Sequence, residues 1–298
     1  MNADDFGVTS GVNRAVLELS GRGQLTSATM MAAASSTHEA AIASRTRPRL
    51  GVGCHVVLVD GVPVLPPTKL PTLVDAATGR FRPTLGNFVS DLLLGRIRAS
   101  EIQAESEAQI AHLRSLGLTL THIDTHKHTH ILPGVAAPLL DAAGHHRIPA
   151  IRNPFEPAWS IRATRGASLL RREQVRILNR FRSRFMTLVT QSGLTTTDGA
   201  IGIVATGTLD LATLTSILHS IPEGTWELVT HPGYNDEALA VSGTRLLASR
   251  DEERLALSQV AMPADIQLIH FGNLNAFGDL NAFGDLEANP KLNRNFSK

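Results

Sequence analysis

Apolar positions along the chain follow two patterns: short continuous runs typical of buried strands, and repeats of three to four residues typical of helices. The runs that predict strands lie at 25–31, 50–58, 150–153, 199–205, 226–231 and 266–271. Helical repeats separate them, as in the segment from Val12 to Leu19. Strands that alternate with helices predict a mostly parallel sheet, either open or closed into a barrel.

Two stretches depart from this pattern. Residues 60–83 are rich in proline and lack periodicity, which predicts a long loop. Residues 161–188 combine eight arginines with a single acid, Glu173, and an apolar stripe at helical spacing. The favoured interpretation is a helix packed on the core with a solvated basic face. The alternative is an interfacial helix that docks on anionic lipid headgroups.

Composition narrows the class of protein. The chain has 298 residues, 43% of them hydrophobic and 18% charged, and a formal net charge of +1, which is typical of a soluble globular protein. The single cysteine, Cys54, excludes an internal disulfide. No signal peptide or run of about 18 apolar residues is found, so the expected location is the cytoplasm. Aromatic residues make up 4% of the chain, which weighs against a stacking surface for nucleic acid.

The segment from Thr121 to His130 holds four of the twelve histidines. If it is extended, its alternate residues His122, Asp124, His126, His128 and His130 share one face, and Leu118 and Leu120 continue that face upstream. Imidazoles and a carboxylate at strict alternation favour a metal site over a solvated loop. At about 3.3 Å per residue, His126 and His130 would lie roughly 13 Å apart, too far to share one ion with bonds of about 2.1 Å. One or two of these histidines are therefore expected to bind the metal.

Polar residues also end three other predicted strands. Asp4 and Asp5 follow the expected first strand, His55 ends the stretch Gly51-Val-Gly-Cys-His, and His231 ends a late strand. Each alone is explained as a turn former or a core histidine. Because ligands bind at the carboxyl ends of strands in parallel α/β folds, the four strand ends together predict a shared site. Cys54 should point away from His55 and act as a small core residue.

Several motifs in unchanged order resemble one known family. They are Asn2-Ala-Asp-Asp-Phe-Gly7, Gly51-Val-Gly-Cys-His55, His122-Ile-Asp-Thr-His-Lys-His-Thr-His130 and Thr230-His-Pro-Gly-Tyr-Asn-Asp236. Together they resemble the YdjC-like carbohydrate deacetylases (the ChbG/HpnK group), from residue 2 to about 270. The resemblance implies an irregular (β/α) barrel related to polysaccharide deacetylases. It also implies a hydrolase that removes the N-acetyl group from an acetylated amino sugar.

The resemblance also assigns roles to residues. It implies that Asp5, His55 and His126 hold one divalent ion, Mg²⁺ or Zn²⁺, that Asp4 is the general base and that His231 is the general acid. Four more residues are expected to bind the substrate or support the metal ligands, and these are Asp124, His128, His130 and Arg152. Only three residues precede Asp4, so the first strand is expected to be truncated.

The boundaries and the substrate follow from the same comparison. We expect a deacetylase domain at 1–271 and a disordered tail at 272–298, in which Asn275-Ala-Phe-Gly-Asp-Leu280 is repeated at 281–286. The substrate alternatives are a chitooligosaccharide and an N-acetylglucosaminyl lipid of hopanoid type. The lipid would suit the basic segment and a location at the inner face of the membrane. A peripheral membrane contact and a homodimer remain open.

Two other functions compete with this one. The truncated start allows a catalytically impaired protein that binds a sugar or a metal. An amidohydrolase-like barrel would hydrolyse another amide, but such barrels place His-x-His on the first strand, where this chain has Asp4 and Asp5.

Overall fold

The protein is described by a computed structural model over residues 1–274. The repeated hexamers, and all of the predicted tail from residue 275 onward, lie outside the described residues. The strands are β1 Asn2–Phe6, β2 Ser27–Met30, β3 Gly51–Val56, β4 Leu120–Thr125, β5 Gly199–Ile201 and β6 Trp226–Thr230. The helices are α1 Ser10–Gly21, α2 Thr37–Ser44, α3 Leu85–Leu93, α4 Ala99–Ser115, α5 Pro133–His145, α6 Ala158–Ala163, α7 Leu169–Leu178, α8 Arg182–Ser192, α9 Leu211–Leu218, α10 Glu237–Val241 and α11 Ala248–Gln259.

The six strands form one parallel sheet in the order β4-β3-β2-β1-β6-β5. Short pairings join its two edges. Ile123 of β4 donates to the Ala150 carbonyl over 3.0 Å, and Ile151 donates to the carbonyl of Thr195, just before β5, over 2.9 Å. The predicted strand at 150–153 is thus reduced to a bridge, and the sheet curls back on itself. The irregular α/β barrel expected from the sequence is confirmed.

The two faces of the sheet differ in polarity because successive strand residues point to opposite sides. Ala3, Ala28, Cys54 and Ile123 are buried in the apolar core beneath the helices. The alternate positions carry polar side chains that meet inside the curled sheet. Cys54 is fully buried with the core residues, so the prediction that it is a small core residue is confirmed.

The first strand departs from the sequence-based expectation. Asp4 and Asp5 lie within β1 rather than after it, and β1 is as long as β6. Its register with β2 shifts between Ala3 and Phe6, where Asp5 has a φ of 62°. A regular strand would point Asp4 and Asp5 to opposite faces. This irregularity turns both carboxylates toward the same side, as bulges beside active sites often do.

Two further expectations are wrong. The segment 161–188 is not one helix but α6, α7, a 3₁₀ turn and α8, and Leu170 and Ile177 of its expected apolar stripe are exposed. The run at 266–271 is not a strand. Its contact with the barrel includes a hydrogen bond of 2.6 Å from the Thr26 hydroxyl to the Ile269 carbonyl.

The predicted long loop is confirmed and is anchored by α4. Glu105 accepts hydrogen bonds from the backbone N–H groups of Val64 and Leu65, at 2.8 and 3.0 Å. One turn earlier, Glu101 accepts from the N–H groups of Thr72 and Leu73. These buried carboxylates satisfy donors that a chain without secondary structure would otherwise leave unpaired. The loop therefore forms a fixed wall after β3.

Candidate active site

Three side chains converge at the carboxyl edge of the sheet: Asp5 of β1, His55 of β3 and His126, which directly follows β4. Asp5 Oδ1 lies 3.5 Å from His55 Nε2 and 3.3 Å from His126 Nδ1, and the two imidazole nitrogens are 3.3 Å apart. Asp5 Oδ1 is buried and has no hydrogen-bond partner. Ligands about 2.1 Å from a tetrahedral ion lie roughly 3.4 Å from one another, so the triangle has the size of a metal site. These residues could hold one divalent ion.

The orientation of His55 is set by Asp124. His55 Nδ1 lies 2.7 Å from Asp124 Oδ1, and a carboxylate can only accept, so Nδ1 carries a proton and Nε2 is the nitrogen that points to Asp5 and His126. An ion bound at Nε2 would displace any proton held there. Burial alone would lower the pKa of His55, but the Asp124 carboxylate raises it to about 9. Such a carboxylate–imidazole pair is the usual support of a metal-binding histidine.

The second oxygen of Asp5 is held by Arg250 of α11. Burial would raise the pKa of Asp5, but the Arg250 guanidinium and His126 hold it well below its usual range. Asp5 is therefore a carboxylate at any physiological pH. The contact uses one oxygen and leaves Oδ1 available.

Asp4 lies next to this triangle but is bound quite differently. Arg152 donates to both of its oxygens, from Nη1 to Oδ2 over 2.8 Å and from Nη2 to Oδ1 over 2.6 Å. Asn2 adds a hydrogen bond to Oδ1 over 2.8 Å. Burial would raise the pKa of Asp4, but Arg152 and His55 hold it well below its usual range. Its Oδ2 atom lies 3.9 Å from His231 Nε2.

Arg152 is completely buried, and its guanidinium nitrogens all contact carboxylates. Besides Asp4 it contacts Asp124 and Glu227, and Nε donates to Glu227 over 2.9 Å. One guanidinium thus neutralises part of the charge of three buried acids. Its donors all face these acids, so Arg152 supports Asp4 from behind rather than facing the open side of the site.

His231 follows β6 and rests on α11. Its backbone N–H donates to Glu253 Oε2 over 2.6 Å, and its Nδ1 atom lies 3.9 Å from the same oxygen without a hydrogen bond. Burial lowers the pKa of His231 to about 4. Burial raises the pKa of Glu253 to about 7. At neutral pH the imidazole is neutral and the carboxyl is close to half ionised.

The histidine segment shares one face only as far as His126. Beyond Thr125 the chain turns, and Lys127 and His128 take left-handed φ values of 56° and 52°. His130 folds back, so that its Nδ1 atom lies 2.6 Å from the Thr125 hydroxyl. His128 Nδ1 and His130 Nε2 are buried nitrogens without hydrogen-bond partners. Neither histidine belongs to the group of Asp5, His55 and His126, whose ligand atoms lie within 4.8 Å of one another. The distance argument assumed an extended strand, which the chain does not form beyond Thr125.

Sequence reasoning missed several residues of the site. Arg250 and Glu253 lie in the charged run Ser249-Arg-Asp-Glu-Glu-Arg254, whose composition is typical of a solvated helix. Glu227 did carry a signal, because a charge inside the otherwise apolar strand β6 must be paired when it is buried. Asn2 and His122, which are linked over 3.2 Å, extend the same polar network away from the site.

Comparisons with known proteins agree with the motifs. The sequence model of a family described as YdjC-like protein matches residues 1–267. A carbohydrate deacetylase of Thermoanaerobacter pseudethanolicus is 31% identical over 258 residues, 87% of this chain and 89% of that one. A chitooligosaccharide deacetylase of Yersinia enterocolitica is 34% identical over 149 residues, 49% of this chain and 55% of that one. The crystal structure of an Enterococcus faecalis protein described as acting in cellobiose-phosphate cleavage superposes with a TM-score of 0.66 at 24% identity, covering 87% and 89% of the two chains.

Proposed function

Because the chain belongs to the YdjC-like protein family, we propose that it is a carbohydrate deacetylase that hydrolyses the N-acetyl amide of an acetylated amino sugar with the help of one divalent ion. The names of its relatives in Thermoanaerobacter and Yersinia support the reaction and the class of substrate. The observation that carries the proposal is the convergence of Asp5 Oδ1, His55 Nε2 and His126 Nδ1 within 3.5 Å of one another.

We propose Asp5, His55 and His126 as the metal ligands. The unpartnered Asp5 Oδ1 atom and the orientation of the His55 ring, which Asp124 fixes, support this assignment. A bound divalent ion would polarise the amide carbonyl and lower the pKa of water. Two imidazoles and one carboxylate are typical of zinc, whereas magnesium prefers oxygen ligands. Zinc is therefore the first ion to test and magnesium the second.

Asp4 is proposed as the general base. It is ionised at neutral pH because Arg152 binds both of its oxygens, and it lies beside the Asp5 carboxylate in the irregular part of β1. The same contacts lower the pKa of Asp4 and so make it a weak base. Its contribution to catalysis must therefore come from its fixed orientation. An amide carbonyl is a poor electrophile, and a base held in place removes the entropy cost of bringing the water and the base together.

His231 is proposed as the acid that protonates the departing amine. Its lowered pKa of about 4 means that the imidazole is neutral in the resting protein. The proton that it delivers must therefore be gained during the reaction. Asp4 Oδ2 and His231 Nε2 are 3.9 Å apart, so the imidazole would have to move closer to Asp4 before it receives the proton that Asp4 takes from water. One proton then passes from the water to the amine, and the two side chains return to their resting states.

The remaining expected residues divide into two groups. Asp124, Arg152 and His130 are fully buried, and we propose that they hold His55, Asp4 and the turn after β4 in place. His128 is only partly buried and has an unpartnered Nδ1 atom, so we propose that it contacts the sugar.

Two classes of substrate carry an acetylated amino sugar of this kind. A chitooligosaccharide follows from the name of the Yersinia relative. An N-acetylglucosaminyl lipid of hopanoid type is the alternative that the family resemblance implies, and the basic segment at 161–188 would suit its location at the inner face of the membrane. Among residues 1–274 there is no helix of the length and apolarity needed to cross a bilayer.

Acetate release tests the function directly. The protein is freed of metal with a chelator and then supplied with Zn²⁺ or Mg²⁺ in the presence of N-acetylglucosamine oligomers or an N-acetylglucosaminyl lipid. Acetate should appear only with a metal ion, and the Asp4→Asn protein should release little. Binding of the sugar without acetate release under every condition would instead indicate the catalytically impaired sugar-binding protein.

A further inference from the structure

Six large apolar side chains of the described residues are more than half exposed, between 53% and 85%. They are Leu93, Leu94, Leu169, Leu170, Ile177 and Val241. We call them the apolar rim. Scattered exposed leucines are ordinary on a protein surface, but these six share one position in the topology. The contacts of α7 and α3, and the position of α10 directly after β6, place them near the carboxyl edge of the sheet, at which the candidate active site is built.

The position of α7 is fixed by contacts at this edge. Its buried residue Val175 packs with Ile161 of α6 and with Val204, which follows the carboxyl end of β5. Arg171 Nη2 donates to the Ile203 carbonyl over 3.1 Å. Leu169, Leu170 and Ile177 lie on the opposite side of the helix, which therefore presents its leucines away from the barrel at the active-site end.

The other three members of the apolar rim lie at the ends of two helices, α3 and α10, which follow β3 and β6. Leu93 and Leu94 end α3, in the long excursion after β3, and the neighbouring residue Leu92 contacts Gly134 at the start of α5. Val241 ends α10, which follows β6 and His231. Segments from several sides of the barrel thus bring apolar side chains to the same end of the molecule.

The charge around the rim indicates what covers it. The segment that contains α7 has eight arginines and one acid, Glu173. Six of these arginines are exposed, namely Arg162, Arg165, Arg176, Arg180, Arg182 and Arg184. The chain as a whole has a net charge of only +1, so this segment is basic and the rest of the chain is not. Leucines set among arginines are typical of surfaces that insert into anionic headgroups.

We propose that the apolar rim docks the protein on an anionic lipid bilayer, with the active-site end facing the headgroups. Leu169, Leu170 and Ile177 would enter the interface, and the arginines beside them would bind lipid phosphates. The contact is peripheral and depends on both apolar area and charge. It does not depend on the deacetylase chemistry proposed above, so lipid binding and catalysis can fail separately.

Sedimentation with vesicles tests the proposal. Full-length protein should co-sediment at low salt with vesicles of phosphatidylcholine and phosphatidylserine, less at high salt, and little with phosphatidylcholine alone. Arg180→Gln combined with Arg182→Gln should lower the partition coefficient by about 25-fold, since each basic residue contributes about fivefold. Leu169→Ser combined with Leu170→Ser should lower it by about tenfold or more.

Matched controls lie at the opposite edge of the sheet. Arg22 and Arg49 precede β2 and β3 and are exposed, and Ile42 is a half-exposed residue of α2. Their changes to Gln or Ser should leave vesicle binding unchanged. Lack of binding by the wild-type protein at low salt, or an equal loss in these controls, would overturn the proposal. So would a dimer, seen by sedimentation velocity without lipid, that Leu169→Ser with Leu170→Ser converts to monomer, because the rim would then join two copies of the chain.

Discussion

Arg152 binds both carboxylate oxygens of Asp4 from a position 148 residues away along the chain. A two-point contact of this kind fixes the plane of the carboxylate as well as its charge. It also lowers the pKa of Asp4, because the neighbouring positive charge stabilises the ionised form. Asp4 is thus a weaker base but a well-oriented one, and its proposed role depends on that orientation.

Replacing Arg152 with lysine tests the value of the two-point contact. Lysine keeps the positive charge but cannot donate two parallel hydrogen bonds to one carboxylate. We expect kcat to fall by about 10–100-fold, as is usual for residues that support a catalytic group, while the metal content stays the same. The acid limb of the pH–rate profile should move upward, because Asp4 loses part of the stabilisation of its ionised form. An unchanged kcat would show that orientation by Arg152 is unimportant.

The metal ligands can be tested by metal content alone. His55→Ala and His126→Ala should each lose most of the ion found in the wild-type protein, about one per chain, by elemental analysis. His219, an exposed histidine of the α9 end, provides the matched control, and His219→Ala should keep its metal. Full occupancy in both ligand variants would contradict the assignment.

The two aspartates of β1 should behave differently. Asp4→Asn should keep the metal and lose activity by about 10²–10⁴-fold, the usual contribution of a general base. Asp5→Asn should lose the metal, because it removes the only carboxylate of the Asp5, His55 and His126 triangle. If Asp4→Asn lost the metal and Asp5→Asn retained it, the two roles would be exchanged.

The barrel could be predicted from the sequence because strands buried on both faces give continuous apolar runs, and helices between them give a different period. The runs at 50–58 and 226–231 correspond to β3 and β6. Proline and the loss of periodicity correctly predicted the loop at 60–83. These features depend on local composition, which a single sequence contains.

The site was harder to predict because it depends on backbone exceptions. A period of two places Asp4 and Asp5 on opposite faces, and only the left-handed conformation of Asp5 brings them together. The same period extends the histidine face to His130, but left-handed residues end it after His126, where Lys127 pairs with Asp60 over 2.7 Å. Tertiary contacts select such conformations, and sequence spacing does not report them.

The pairing of His231 with Glu253 predicts how stability depends on pH. Burial raises the pKa of Glu253 from 4.5 to about 7, so the folded protein holds this proton more tightly and loses stability as the pH rises from about 4.5 to 7. Burial lowers the pKa of His231 from 6.5 to about 4, which has the opposite sign, and stability rises as the pH rises from about 4 to 6.5. The two windows overlap, so their contributions largely offset each other in the wild-type protein.

Glu253→Gln should remove one side of this balance. The amide has the same shape and can still accept the His231 N–H, but it cannot ionise. We therefore expect the variant to gain stability relative to the wild-type protein as the pH is raised from 5 to 8, on the order of a few kcal/mol, since one pKa unit corresponds to about 1.4 kcal/mol. Melting temperatures of both proteins across this range measure the difference. Glu252→Gln, at the exposed neighbouring position, should follow the wild-type curve. Parallel curves for Glu253→Gln and the wild-type protein would mean that Glu253 is ionised throughout, and that His231 faces a full negative charge rather than one that appears near pH 7.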